Sequence, residues 1–147
     1  MRVGDFRFAH TLRVRYSEID GQKVVYNAHY LTYLDVAITE YFRNLGIEFV
    51  DSSLFDIALV RATLDFRSPA RLDDLLDVWV SIPRLGNSSF TGRFRILPHG
   101  ETSEERTVLD AEIVYVSFSA EEGRAVPIPG WVREKIESFE GRTSSKR

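Results

Sequence analysis

The fold is decided by Asn27-Ala28-His29-Tyr30-Leu31-Thr32-Tyr33-Leu34-Asp35-Val36-Ala37-Ile38-Thr39-Glu40-Tyr41-Phe42-Arg43-Asn44-Leu45-Gly46. Tyr30, Leu34, Ala37, Ile38, Tyr41 and Leu45 recur at steps of three and four, the spacing of one helical face. Leu31, Val36 and Phe42 carry the apolar surface beyond that face. A helix apolar over so much of its circumference is expected to be buried on several sides. The spacing predicts a helix from Asn27 to Leu45, about 28 Å long at 1.5 Å per residue. Gly46 is placed to stop it.

Around this helix the periodicity changes from 3.6 to 2. Upstream, in residues 6–16, Phe6, Phe8, His10, Leu12, Val14 and Tyr16 alternate with mostly polar neighbours, which predicts a strand. Ser17 to Lys23, with Gly21 inside, breaks the pattern. Downstream, strands are predicted over 57–67, 75–83, 89–98 and 106–119. In the first, Ala58, Val60, Ala62, Leu64 and Phe66 share a face; in the second, Leu76, Val78, Val80 and Ile82 do. Pro69 with Asp73-Asp74, Gly86-Asn87, and His99-Gly100 supply the turns. Residues 130–139 predict a short final helix. Short connections imply an antiparallel sheet, and one sheet with one well-buried helix implies that the sheet wraps the helix. The expectation is an α+β fold: one domain over 1–140 and a flexible tail over 141–147.

Composition narrows the function. With 147 residues, 44% hydrophobic and 28% charged, the chain is that of a globular domain with a real core. Lys and Arg number 19 against 22 Asp and Glu, a net charge of −3, which argues against nucleic acid as a partner. No run of about 18 apolar residues predicts a membrane span. The N-terminus leads into no secretory apolar core, so the cytoplasm is expected. The absence of cysteine removes thiolate nucleophiles, disulfides and cysteine-based metal sites. His10, His29 and His99 lack metal-ligand spacing, and no metal or cofactor is expected. Nucleophile-elbow, Walker and dinucleotide motifs are absent.

One segment stands out for chemistry, Tyr16-Ser17-Glu18-Ile19-Asp20-Gly21-Gln22-Lys23-Val24-Val25-Tyr26-Asn27-Ala28-His29-Tyr30. It sets the carboxylate of Asp20 shortly before a helix N-terminus, where unpaired N–H groups and the helix dipole favour an anion or oxyanion. A carboxylate beside oxyanion donors is a minimal kit for acyl-group hydrolysis. Helix capping is the ordinary reading of such an Asp.

This segment resembles the 4-hydroxybenzoyl-CoA thioesterase-like family of hotdog-fold acyl-CoA thioesterases. The resemblance runs through Arg15 to Asp20, Val24 to Leu31 and Ala37 to Glu40. It continues in order through Phe66 to Asp74, Gly86 to Phe90, Ala111 to Phe118 and Arg124 to Pro129. It implies a long central helix wrapped by an antiparallel sheet, dimers or dimers of dimers with active sites between subunits, and an acyl-CoA or related thioester as substrate. It makes Asp20 the catalytic carboxylate, as nucleophile or general base, and the backbone N–H of Asn27 an oxyanion donor. The chain departs from the family in having Lys23 where Gly is usual and Asn27 where His or Tyr is frequent.

Other residues are weighed against ordinary structural roles. Tyr26 and Tyr30 are candidate acyl-pocket walls, with core packing as the alternative. By family position Asn87, Ser88 and Ser89 approach the pantetheine or nucleotide of CoA, or serve the turn alone. Arg67 and Arg71 either meet phosphate or pair with Asp73 or Asp74. Arg93, Arg95 and Lys23 read as a solvated surface, and Glu40 as a solvated or paired one. Trp79, on the polar side of its strand, is expected at a subunit contact. Two other activities stay open: a non-catalytic acyl- or CoA-binding module, and a hydroxyacyl-thioester dehydratase using His29.

Overall fold

A computed structural model describes residues 3–47, 55–141 and 144–145. Strand β1 (Phe8–Arg13) leads through a 3-10 turn (Tyr16–Glu18) to helix α1 (His29–Asn44). Strands β2 (Ile57–Phe66), β3 (Leu75–Leu85), β4 (Ser89–Pro98) and β5 (Leu109–Ser119) follow, then the short β6 (Arg124–Ala125), helix α2 (Gly130–Glu140) and β7 (Ser144–Ser145). The sheet runs β1-β3-β4-β5-β2, antiparallel throughout this path, with β6 on β5. It curls around α1, which is the hotdog architecture. β7 pairs in parallel with Arg84 and Leu85 of β3. Residues 142–143 and 146–147 of the expected tail lie outside the described residues.

The helix buries Tyr30, Tyr33, Leu34, Ala37, Ile38, Tyr41 and Phe42. They meet Leu76, Val78, Val80 and Ile82 of β3, each at most 1% exposed, in one continuous core. Phe42 stands edge-on to Phe90, and Phe139 of α2 edge-on to Tyr41. Gly46 ends α1 as expected. Its φ of 76° lets Gly46 N–H reach Arg43 O and Ile47 N–H reach Phe42 O, the paired bonds of a Schellman stop.

Three expectations are corrected. The apolar surface beyond the main stripe is covered only in part, because one curled sheet leaves a flank bare: Phe42 is buried, but Val36 is 40% exposed and Leu31 and Leu45 half-buried. The first strand ends at Arg13, and Tyr16 opens the 3-10 turn, exposed. The phase of β2 also changes. A bulge between Leu59 and Arg61 absorbs Val60, so Leu59, opposite Tyr115, shares the inner side with Ala62, Leu64 and Phe66. As the edge strand, β2 leaves Leu59, Val60 and Phe66 about half exposed.

A second bulge lies in β3, between Ser81 and Arg84. It frees the N–H of Ile82, which donates to a carboxylate oxygen of Glu140 at 3.0 Å. The hydroxyl of Tyr41 donates to the same oxygen, so the end of α2 is latched to both α1 and β3.

Candidate active site

The segment before α1 folds into a small hairpin. Asp20 N–H donates to Val24 O at 3.0 Å, Ile19 bridges Val25, and Tyr26 N–H donates to Glu18 O at 2.9 Å. Lys23 N–H closes the tip on Asp20 O at 2.9 Å. The return arm is tied to the body, since Val25 N–H donates to Ala70 O and Val24 bridges Arg71. Asp20 favours this tip because its own Oδ1 accepts Gln22 N–H at 2.8 Å, an Asx turn. The carboxylate is half-buried, and its Oδ2 has no hydrogen-bond partner among the described residues. Lys23 has φ 64°, the left-handed region. That explains why glycine suits this place.

The return arm delivers the helix start. Helix α1 begins at His29, two residues later than expected, with Asn27 and Ala28 in the turn before it. Asn27 O accepts Tyr30 N–H, and Tyr26 O accepts His29 N–H. The N–H groups of Asn27 and Ala28 have no acceptor among the described residues. The helix offers no side-chain cap to fill them.

Asn27 and Tyr30 share a cavity of about 220 Å³ with Val24, Val25, Phe66, Arg67, Ser68 and Pro69. Tyr30 is buried, edge-on to Phe66, and its hydroxyl accepts Ala70 N–H at 3.3 Å. Burial pushes its phenol above the ordinary range, so it stays neutral. Asp20 does not line this cavity but sits across one hairpin rung from Val24, which does. Tyr26 is outside it, 53% exposed, with its ring edge-on to His29.

Asn87, Ser88 and Ser89 form the β3–β4 turn. Its backbone is committed: Ile128 N–H donates to Asn87 O, Ser117 N–H to Ser88 O, and the Arg133 guanidinium to Gly86 O. The side chains of Asn87, Ser88 and Ser89 make no hydrogen bond among the described residues. This turn caps one end of β3, and the Asp20 hairpin lies by Ala70 and Arg71 at the other. Ten steps of about 3.3 Å separate the ends, so roughly 30 Å lies between the two clusters within one chain.

The arginines differ from expectation. Arg67 pairs with Asp110 at 3.5 Å and Asp65 at 4.0 Å, because the register of Phe66 with Leu109 brings Asp110 alongside. Arg71 makes no ion pair among the described residues. Arg93 pairs with Glu112, while Arg95 is buried and bonds Asp110 at 2.8 Å. Trp79 is half-buried, with its ring 6.5 Å from that of the chain's own Phe6.

Glu18 was not legible as part of this site. It is 4% exposed and accepts from Arg15 and from Tyr33 of α1. Burial disfavours its charge. The Arg15 N–H, the Arg15 guanidinium and the Tyr33 hydroxyl outweigh that and hold the carboxyl below its ordinary range.

A family model of the thioesterase superfamily matches residues 22–103, more than half the chain. The chain belongs to the thioesterase superfamily. The match begins just beyond Asp20. This thioesterase is 30% identical over 112 residues to the acyl-CoA thioester hydrolase YbgC of Escherichia coli O6:H1, covering 74% of this chain and 80% of that protein. It is 28% identical over 131 residues to the long-chain acyl-CoA thioesterase FadM of Escherichia coli K12, covering 87% and 96%. Among solved structures it is similar to a thioesterase of Thermus thermophilus complexed with coenzyme A and Zn. The TM-score is 0.80 at 27% identity, over 94% of this chain and 97% of that one. Among the described residues no three His, Cys, Asp or Glu side chains gather as metal ligands. No described helix is long and apolar enough to cross a membrane.

Proposed function

We propose that this chain hydrolyses an acyl-CoA thioester to a carboxylic acid and free CoA, with Asp20 as the catalytic carboxylate and the N–H of Asn27 as an oxyanion donor. One observation carries the reading. A single hairpin joins a half-buried carboxylate to a helix start, and among the described residues one Asp20 oxygen and the N–H groups of Asn27 and Ala28 have no hydrogen-bond partner. As general base, Asp20 takes a proton from water while the water oxygen bonds to the thioester carbon. The carbonyl electron pair moves onto its oxygen, toward the Asn27 N–H. The C–S bond then breaks, and the departing sulfur takes up the proton from Asp20. As nucleophile, an Asp20 oxygen first bonds to the thioester carbon and the C–S bond breaks, releasing CoA as thiolate and leaving a mixed anhydride. Water then cleaves that anhydride to the carboxylic acid and the restored Asp20 carboxylate, its proton passing to the thiolate. In either form, an aimed oxyanion donor is worth about 3–4 kcal/mol of barrier.

Tyr30 walls the acyl group, and the exposed Tyr26 covers it from the rim. The free side chains of the Asn87-Ser88-Ser89 turn bond the pantetheine or nucleotide of CoA. With roughly 30 Å of β3 between that turn and Asp20 in one chain, the turn serves CoA bound at Asp20 of a second copy. The half-exposed Leu59, Val60 and Phe66 on the β2 edge support such a homodimer, or a dimer of dimers. We assign the enzyme to the cytoplasm, a reducing compartment compatible with a chain without cysteine. A dehydratase would need a histidine acting with Asp20, and His29 packs on Tyr26 with no bond to Asp20.

Thiol release from acetyl-, decanoyl- and benzoyl-CoA, in wild type and Asp20→Asn, tests this reading. The variant is expected to lose on the order of 10²-fold or more in kcat. Full activity in the variant would overturn the role of Asp20. Binding of CoA esters without cleavage by wild type would favour the binding module.

A further inference from the structure

Glu18 stands two residues from Asp20 at the base of the same hairpin, yet it cannot itself react. Its Oε1 accepts Arg15 N–H and the Tyr33 hydroxyl, each at 2.8 Å. Its Oε2 accepts Arg15 Nε at 2.7 Å and Nη2 at 2.6 Å. A carboxylate offers about four acceptor sites, and all are filled. The group is 4% exposed and Tyr33 2%. What the cluster does is mechanical. Arg15 follows β1, Tyr33 lies in the second turn of α1, and the Glu18 carbonyl holds Tyr26 N–H, the residue before Asn27. The arm carrying Asn27 runs directly into α1, and the base of the arm carrying Asp20 is tied to α1 by the buried hydrogen bond from Tyr33 to Glu18.

We propose that Glu18, held to α1 by Tyr33, is the positioning residue that sets Asp20 against the N–H groups at the start of α1. The inference rests on the reading of Asp20 as the catalytic carboxylate. Its reach is geometric: a reacting group misplaced by about 1 Å loses up to about 10²-fold in rate. Arg15 is a weak anchor alone, because its side chain is 72% exposed and solvent screens it. Tyr33 supplies the fixed direction, since its ring is locked edge-on to Tyr30 at 5.9 Å.

The test compares wild type, Tyr33→Phe, Glu18→Gln, Asp20→Asn and the double variant Tyr33→Phe/Asp20→Asn. Rates are expressed per folded protomer on whichever of acetyl-, decanoyl- or benzoyl-CoA the wild type cleaves. Tyr33→Phe deletes one hydroxyl and keeps the buried ring, so it stays informative even if Glu18→Gln fails to fold. It is expected to lower kcat about 10-fold with KM within about twofold, the mark of lost transition-state alignment. Measured with enzyme in excess, the same change in the Asp20→Asn background is expected to have no further effect, because the two act as a unit. An unchanged kcat in Tyr33→Phe, or an equal loss in both backgrounds, would overturn the inference while a crippled Asp20→Asn left the catalytic reading standing. Wild-type activity in Asp20→Asn would remove that reading, and the inference with it.

Discussion

Lys23 sits at φ 64° in the tip that presents Asp20, a conformation in which a side chain crowds the following carbonyl. An L-residue there costs about 1–2 kcal/mol relative to the right-handed region. Glycine removes that cost, but its freer unfolded chain takes back about 0.5–1 kcal/mol. Lys23→Gly is therefore expected to stabilise the protein by about 0.5–1 kcal/mol. For a domain of this length each kcal/mol moves Tm by roughly 2–4 °C, so the rise should be about 1–4 °C. The substitution also removes an exposed charge near Asp20, and Lys23→Ala separates the two effects. Alanine loses the charge but keeps the Cβ, and is expected within about 0.5 kcal/mol of wild type, as for most surface changes. Calorimetry with urea unfolding at pH 7 reads all three proteins. The backbone argument is refuted if Lys23→Gly melts at or below wild type, or if Lys23→Ala gains as much as Lys23→Gly.

Other substitutions probe the latch and the edge. Burial raises the Glu140 carboxyl above its ordinary range, against the pull of Tyr41, Ile82 N–H and Arg7. The folded chain then holds this proton more tightly than the unfolded one. Its contribution is greatest below the unfolded value of about 4.3 and declines as pH rises through the higher folded value. Glu140→Gln keeps an acceptor for Tyr41 and Ile82 without that decline, so it should gain on wild type in urea-unfolding series run upward from pH 4 to 7. A variant-minus-wild-type stability that falls or stays flat with rising pH contradicts this. Val60→Lys places a charge on the bare β2 edge, at a position 57% exposed in one chain. Light scattering should then show dissociation toward monomer, with activity falling in parallel; an unchanged oligomer would exclude that edge as the contact.

The fold was legible where one pattern had one cause. The stripe from Tyr30 to Tyr41 predicted α1 because a single sheet covers that face, and the inner residues of β3 read correctly for the same reason. Legibility failed where two structures share a pattern. Val60 continues the alternation of Ala58 and Ala62, so the bulge that removes it from the ladder leaves no trace in the sequence. Tyr16 keeps the alternation of β1 although the ladder stops at Arg13, because alternation records side-chain polarity and says nothing of where backbone pairing ends. Val36 reads as core because apolar character does not tell a covered flank from a bare one.

The candidate site divides along the same line. Asp20 stood out because Gly21 and the break after β1 mark a turn before a helix, and turn chemistry is local. Glu18 did not, because its partner Tyr33 is 15 residues away and carries an aromatic ring that reads as core. A hydroxyl at the end of such a ring shows its purpose only when the fold brings a carboxylate to it. The Asn87-Ser88-Ser89 turn is the extreme case. Its side chains make no hydrogen bond among the described residues, and β3 holds them far from Asp20. Local sequence can mark each of these turns but not their meeting, since under the proposed assembly that meeting belongs to two copies. Mixing an Asp20→Asn chain with a chain altered at the turn (Asn87→Ala with Ser88→Ala) therefore makes a direct test. If the second copy supplies the turn, one composite site in each mixed dimer is intact and the mixture regains activity above either parent. If each chain supplies its own, the mixture stays at the average of the parents.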